Sequence, residues 1–161
     1  MSQTSQLELA RPLIKSAVLR LQQGNLILPM NLLVELVTVE QLDKSDNPGI
    51  LGWLNWLGRS VPVVSLESLC MLGEGVVERS SNCLVLHTVL DCVELPFIAL
   101  QVQGGLQTID VGEDTLRDDY SGNLQRCPYV ARQVRIAQLL CLIPDMPAIE
   151  AAVAEVLQLS E

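Results

Sequence analysis

The sequence predicts an all-β, barrel-type domain closed by one C-terminal helix. Three observations carry that reading. Short apolar alternations recur along the chain. Turn residues separate them at spacings of roughly 8–12 residues, the rhythm of antiparallel barrels and sandwiches. Sustained helical spacing appears only near the end, where Ile149, Ala152, Val153, Val156 and Leu157 fall on one face.

The elements follow in order. Residues 1–12 are a polar lead-in. Ala17, Leu19 and Leu21 alternate with Ser16, Arg20 and Gln22, a strand pattern. Gln23-Gly24-Asn25 turns the chain, and Leu26-Ile27-Leu28 completes a hairpin. Leu32 to Val37 reads as a short helical turn running into a strand, because Val37, Thr38 and Val39 are β-branched. Ser45-Asp46-Asn47-Pro48-Gly49 breaks the chain. Two strands follow within Ile50 to Leu66, joined by a turn at Asn55 to Gly58. Pro62 has no N–H to give to a ladder, so it belongs on an edge or at a bulge. Glu67 to Met71 closes in a helical turn, and the loop around Gly73-Glu74-Gly75 and Glu78 to Asn82 marks the midpoint. In the second half, Cys83 to Val89, Ile98 to Gln103 and Leu106 to Val111 read as strands, with a turn or bulge at Gly104-Gly105. Gly112 to Asn123 is an acidic loop, and Arg132 to Ile143 forms one or two strands. Asp145 caps the final helix with Pro147 in its first turn.

Composition narrows what such a domain does. The chain has 161 residues, 49% of them hydrophobic and 18% charged, which excludes intrinsic disorder. A single domain of this length buries roughly 70% of its unfolded surface and needs no disulfide or metal to fold. Mean hydropathy is +0.34, high enough to point to apolar surface kept for a partner. Net charge is -9. The first 80 residues carry 6 basic and 8 acidic groups and the rest carry 4 and 11, so the excess lies in the second half. Phosphate backbones and anionic membrane surfaces would repel such a chain, so neither nucleic acid nor membrane is an expected partner. The N-terminus lacks a charged segment followed by an apolar run, and the longest apolar stretch, Ile136 to Ile143, falls far short of the ~20 residues of a membrane span. The expectation is a cytoplasmic protein.

Catalytic and metal signatures are missing. The cysteines Cys70, Cys83, Cys92, Cys127 and Cys141 have no zinc-type spacing, and their odd number argues against a disulfide framework. Buried free thiols are the expectation. His87 is the single histidine. On a strand it would share a face with Cys83 but lie about 13 Å away, beyond hydrogen-bond reach. That leaves a thiol enzyme as the remote alternative of another class. The acidic residues Asp110, Glu113, Asp114, Asp118 and Asp119 lack EF-hand spacing and read as a solvated loop. No cofactor, metal or catalytic residue is expected.

The stretch Gly52-Trp53-Leu54-Asn55-Trp56-Leu57-Gly58-Arg59-Ser60-Val61-Pro62-Val63-Val64-Ser65-Leu66 resembles the central signature of CheW-like domains. That signature has a glycine, an aliphatic pair, Asn, two residues, Gly, then an aliphatic-Pro-aliphatic-aliphatic strand. Upstream, Leu33-Val34-Glu35-Leu36 looks like the family's Val-x-Glu-Ile segment. The resemblance runs from about Ser16 to the terminal helix. It implies a single domain of two small five-stranded β-barrels sharing an apolar seam. Barrel one would span about residues 16–75 with some strand exchange, barrel two about 80–145, and the helix about 146–159. It also implies a non-catalytic adaptor coupling the regulatory domain of a CheA-type histidine kinase to methyl-accepting chemoreceptors.

Carried onto this chain, the resemblance makes Gly52, Asn55, Gly58 and Pro62 the structural motif. Leu33, Glu35 and Leu36 become the kinase-facing residues. Trp56, Leu57 and Arg59 become the receptor-facing turn. Leu57 stands where the family usually has Arg, and leucine cannot supply the hydrogen bonds of a guanidinium fork. That departure argues against standard receptor coupling and leaves an alternative, a divergent member that binds the kinase alone and caps or inhibits the array. Glycines common in the family are also missing from Tyr129 to Arg135. The divergence points to a chemosensory system of another kind, such as a pilus-linked one controlling twitching. A surface built to pair with a similar domain also makes a homodimer an expected partner state.

Overall fold

The structure is a computed structural model, and it describes residues 12–46, 49–70, 81–90, 94–122 and 127–158. The polar lead-in, the Asn47-Pro48 step, the loop at 73–75 and Cys92 lie outside the described residues.

Strand β1 (Ile14–Arg20) leads to β2 (Asn25–Pro29), a 3-10 turn (Met30–Leu32) and β3 (Leu33–Thr38). Then come β4 (Gly52–Trp56), β5 (Arg59–Val64) and a one-turn helix α1 (Leu66–Leu69). The second half holds β6 (Asn82–His87), β7 (Phe97–Val102), β8 (Gly104–Val111), β9 (Arg117–Asp118), β10 (Val130–Ile136), β11 (Leu139–Pro144) and helix α2 (Met146–Leu157). The strands form two sheets, ordered β8-β1-β2-β11-β10-β9 and β3-β6-β7-β5-β4. The architecture is all-β with a C-terminal helix, and the six-stranded sheet owes its extra member to the two-residue β9.

The chain does not divide at its midpoint. Strands β1 and β2 join β8 to β11, while β6 and β7 join β3 to β5. The exchange is larger than a split at residues 75–80 implies. Two parallel pairings complete it, Leu142 beside Leu26 and Val63 beside Ala99.

Side-chain alternation explains why both sheets curl. In β1, Ala17 and Leu19 face one cluster while Val18 faces another. In β6, Leu84 and Leu86 face the first cluster while Cys83 and Val85 face a third. The first cluster is the seam between the sheets. It holds Leu26, Leu28, Leu100 and Leu142, together with Met146, Ile149 and Val153 of α2. The other two fill the inside of each sheet. Strands buried on both faces read as continuous apolar runs rather than clean alternations, as Leu26-Ile27-Leu28 and Cys83 to Leu86 do.

Local devices position the elements. Gly104 and Gly105 have φ of +123° and +73°, and a Cβ on Gly105 would meet Arg20 Nε at 3.0 Å. The β1–β8 register slips between Val18 and Arg20, so the glycine pair opens β8 beside a bulge. Asp145 caps α2 by accepting from Ala148 N at 3.1 Å, and Pro147 lies in the first turn. The inward stripe of α2 is Met146, Ile149, Glu150 and Val153, whereas Val156 is exposed, a shift from the expected face. Glu150 belongs to this stripe because its carboxylate accepts from Val89 N and Leu90 N at 2.9 Å.

The cysteine expectation needs correction. Cys70 and Cys127 form a disulfide, with Cα atoms 5.5 Å apart. Cys83 and Cys141 are buried free thiols. An odd cysteine count says nothing against one pair when both partners sit at element ends across a seam.

Candidate interaction face of the five-stranded sheet

The site grows from the β4–β5 hairpin. Trp56 pairs with Arg59, so the loop is the two residues Leu57-Gly58, tighter than the expected turn from Asn55. Both have positive φ, 49° and 76°, the type I′ geometry that matches strand twist. Gly58 suits that conformation and Leu57 does not. Leu57 is 80% exposed at the tip.

Alternation then distributes the tryptophans. Trp53 packs on the seam cluster and Trp56 on the cluster inside the five-stranded sheet. Residues three apart on a strand point to opposite faces. Trp56 stands edge-on to Phe97, ring centroids 5.0 Å apart at 67°. His87 lies 5.5 Å from Phe97 by ring centroid, and the Arg59 guanidinium carbon sits 5.4 Å from the same centroid. Phe97 therefore organises the patch. Its being the single phenylalanine, at the start of an apolar run, was the one sequence signal available for it.

Glu35 joins this patch from the opposite edge of the sheet. Trp56 Nε1 donates to Glu35 Oε2 at 2.8 Å. Strands β3 and β4 are the two edges of the sheet, so this bond spans the gap where the curled sheet meets itself. Leu33 and Leu36 lie three apart yet both pack on the seam cluster. A register shift between Leu33 and Glu35 permits it, since a bulge moves later residues to the other face. Both leucines are half-buried, and Glu35 is exposed. The structure thus brings Glu35, Trp56 and Arg59 together around Phe97, holds Leu33 and Leu36 along the seam, and leaves Leu57 projecting.

The remaining motif positions have local roles. A Cβ on Gly52 would lie 2.7 Å from Asp43 O and 2.8 Å from Leu42 Cβ. Only glycine lets the Asp43–Trp53 bridge form. Asn55 is exposed. Pro62 lies on β5 between β4 and β7, not on an outer edge of the sheet. The parallel ladder to β7 begins one residue later, at Val63, so Pro62 precedes that pairing. Trp53, Arg59, Pro62, Glu94, Phe97 and Leu157 line a groove of about 470 Å³ between β5, the segment before β7 and the end of α2.

Cys83, Cys141, Asp118 and Asp119 lie outside this face and are engaged in packing or local bonds. Burial pushes the Cys83 thiol up to about 11 and raises Cys141 as well, which keeps both protonated and unreactive. His87 and Cys83 sit at opposite ends of β6, the first exposed and the second buried. The Ser121 hydroxyl and backbone N–H, aided by Arg135, hold Asp119 down at about 2. Asp118 pairs with Arg132 at 2.8 Å and Asp119 with Arg135 at 2.5 Å, so part of the acidic loop is tied to β10. Among the described residues, no group of three or more His, Cys, Asp or Glu side chains could hold a metal ion. No helix among them is long and apolar enough to cross a membrane.

Comparison with curated proteins gives no match. Among solved structures, the scaffolding protein TtCheW from Thermoanaerobacter tengcongensis matches with a TM-score of 0.66 at 16% identity. The match covers 84% of this chain and 86% of that one. A family model of the CheW-like domain matches residues 15–153. With the two curled sheets, the shared seam and the Gly52 to Leu66 hairpin all in place, the chain belongs to the CheW-like domain family.

Proposed function

We propose that the protein is a non-catalytic adaptor in a chemosensory system, binding the regulatory domain of a CheA-type histidine kinase through the face built on Glu35, Trp56 and Phe97. Membership of the CheW-like family supports a chemotaxis scaffold role. The observation that carries the finer reading is the Trp56–Glu35 hydrogen bond. It joins the Leu33-Glu35-Leu36 edge and the Trp56-Leu57-Arg59 hairpin into one surface of aromatic and charged side chains. Trp and Arg are the side chains that most often dominate binding energy at interfaces. Leu33 and Leu36 support the edge from the seam and present only part of their surface.

A second reading follows from Leu57. The tip is apolar and 80% exposed, so it offers a chemoreceptor no guanidinium fork. This favours a protein that binds the kinase and not the receptor, acting as a cap. Such divergence suits a pathway other than the flagellar one, a pilus-linked system among them.

The test is a calorimetric titration of the purified protein against the regulatory domain of a CheA-type kinase from the same organism, followed by a receptor cytoplasmic domain. Saturable micromolar binding, weakened at least tenfold by Glu35→Lys with the fold intact, upholds the kinase reading. No binding to any kinase of that organism removes it. Receptor binding gained by Leu57→Arg identifies the tip as the receptor contact, and receptor binding by the wild type removes the cap reading.

A further inference from the structure

The four described cysteines divide by environment. Cys83 and Cys141 lie inside the two sheets and are fully buried. Cys70 and Cys127 are half-buried. Cys70 is the C-cap of α1, directly after β5 in the five-stranded sheet. Cys127 precedes β10 in the six-stranded sheet. Both pack on the seam cluster, so the bond between them crosses from one sheet to the other. Neither flanking element depends on it. Cys70 N bonds to Leu66 O at 3.0 Å, and Cys127 O accepts from Val130 N at 3.1 Å. The aliphatic seam meanwhile supplies cohesion of its own. A cross-link that is less buried than Cys83 and Cys141, joins two sheets and is not needed to form either has the attributes of an exchangeable bond.

We infer that Cys70 and Cys127 are a redox-operated clasp, bonded across the seam under oxidising conditions and open, with the fold kept by the seam, under reducing ones. The oxidant is a small-molecule disulfide of the glutathione type. One cysteine thiolate attacks a sulfur of that disulfide, forms a mixed disulfide and expels one small thiolate. The second cysteine thiolate attacks the protein sulfur of the mixed disulfide, forms the Cys70–Cys127 bond and expels the second. Two electrons pass from the protein to the oxidant, and the two thiol protons end on the two released small thiols. Excess small thiol runs the sequence backwards.

The experiment equilibrates the full chain carrying Cys92→Ser in glutathione buffers of graded reduced-to-oxidised ratio, from both the reduced and the oxidised side. Native-state alkylation and intact mass then count free thiols, and melting is recorded at each ratio. The bonded fraction should follow the ratio and agree from both directions, with Cys83 and Cys141 unlabelled until the protein unfolds. The reduced form should still melt cooperatively, roughly 10 °C below the oxidised form. Cys70→Ser and Cys127→Ser should fold, melt like the reduced form and show no dependence on the ratio. A pair that stays bonded at the reducing end, a pair that never bonds, or a reduced form without a cooperative melt each overturns the clasp.

Discussion

Leu57 is a residue in a place its side chain resists. Its φ of 49° lies where Cβ crowds the following carbonyl, a strain of about 1 kcal/mol for a non-glycine residue. Leu57→Asn should therefore stabilise the protein by about 1 kcal/mol, read as a higher urea midpoint at unchanged slope. Trp56 behaves differently. It is half-buried, edge-on to Phe97 and bonded to Glu35, so Trp56→Ala should lower stability as well as binding, by about 2 kcal/mol. Glu35→Lys is the cleaner probe of the partner, because Glu35 is exposed. Glu150 carries the pH dependence. Burial raises its pKa above the usual 4.5 against the pull of the Leu90 and Val89 N–H groups. Its folded state therefore holds a proton more readily than its unfolded state. The stabilisation is full below about pH 4, near the ordinary carboxyl range, and fades as pH rises through the raised value. Glu150→Gln does not titrate, so the stability of the wild type relative to this variant should fall between about pH 4 and about pH 8. Urea midpoints at the two pH values check the sign. The role of Glu150 was not legible from the residues alone. Glu150 looked like one more polar residue of a terminal helix, and nothing local tells that its carboxylate meets backbone about sixty positions earlier.

At the scale of elements, the hairpins and strands were legible because alternation and turn residues act locally. Gly24, Gly58 and the Gly104-Gly105 pair mark real reversals or bulges, each with positive φ. The bulge in β3 was not legible. Reading Leu33-Val34-Glu35-Leu36 as a plain strand puts Leu33 and Leu36 on opposite faces, and only the pairing with β6 shows the slip. Gly52 makes the sharpest prediction here. Gly52→Ala would push a methyl group onto Asp43 O and open the bridge to Trp53. The cost should be about 2 kcal/mol of stability in a denaturant titration. Gly58→Ala meets no neighbour, and its cost comes from φ alone. The thiols show the same division. Burial of Cys83 and Cys141 was readable from their apolar neighbours, whereas the Cys70–Cys127 bond joins positions 57 residues apart and belongs to topology.

For the whole molecule, the seam is the main source of cohesion. Leu100→Ala or Leu142→Ala, both buried there, should cost about 3 kcal/mol each, more than any substitution on the interaction face. Closing a 57-residue span adds to it, and the oxidised chain should exceed the reduced one by about 4 kcal/mol in the loop-entropy account. The partition into two sheets was only partly legible. Local signals gave a sequence of strands, but the exchange of β1–β2 for β6–β7 depends on which hairpin buries two faces at once. That exchange also sets the order in which the molecule can be made. Strands β3 to β7 lie within residues 33–102, so the five-stranded sheet can close while the remainder of the chain is still being synthesised. The hairpin of β1 and β2 leaves the ribosome first but pairs with β8 and β11. Its face carrying Val18 and Ile27 packs on Val111, Val134 and Cys141 and waits about a hundred further residues for them, the kind of delay that slows folding and exposes chains to aggregation.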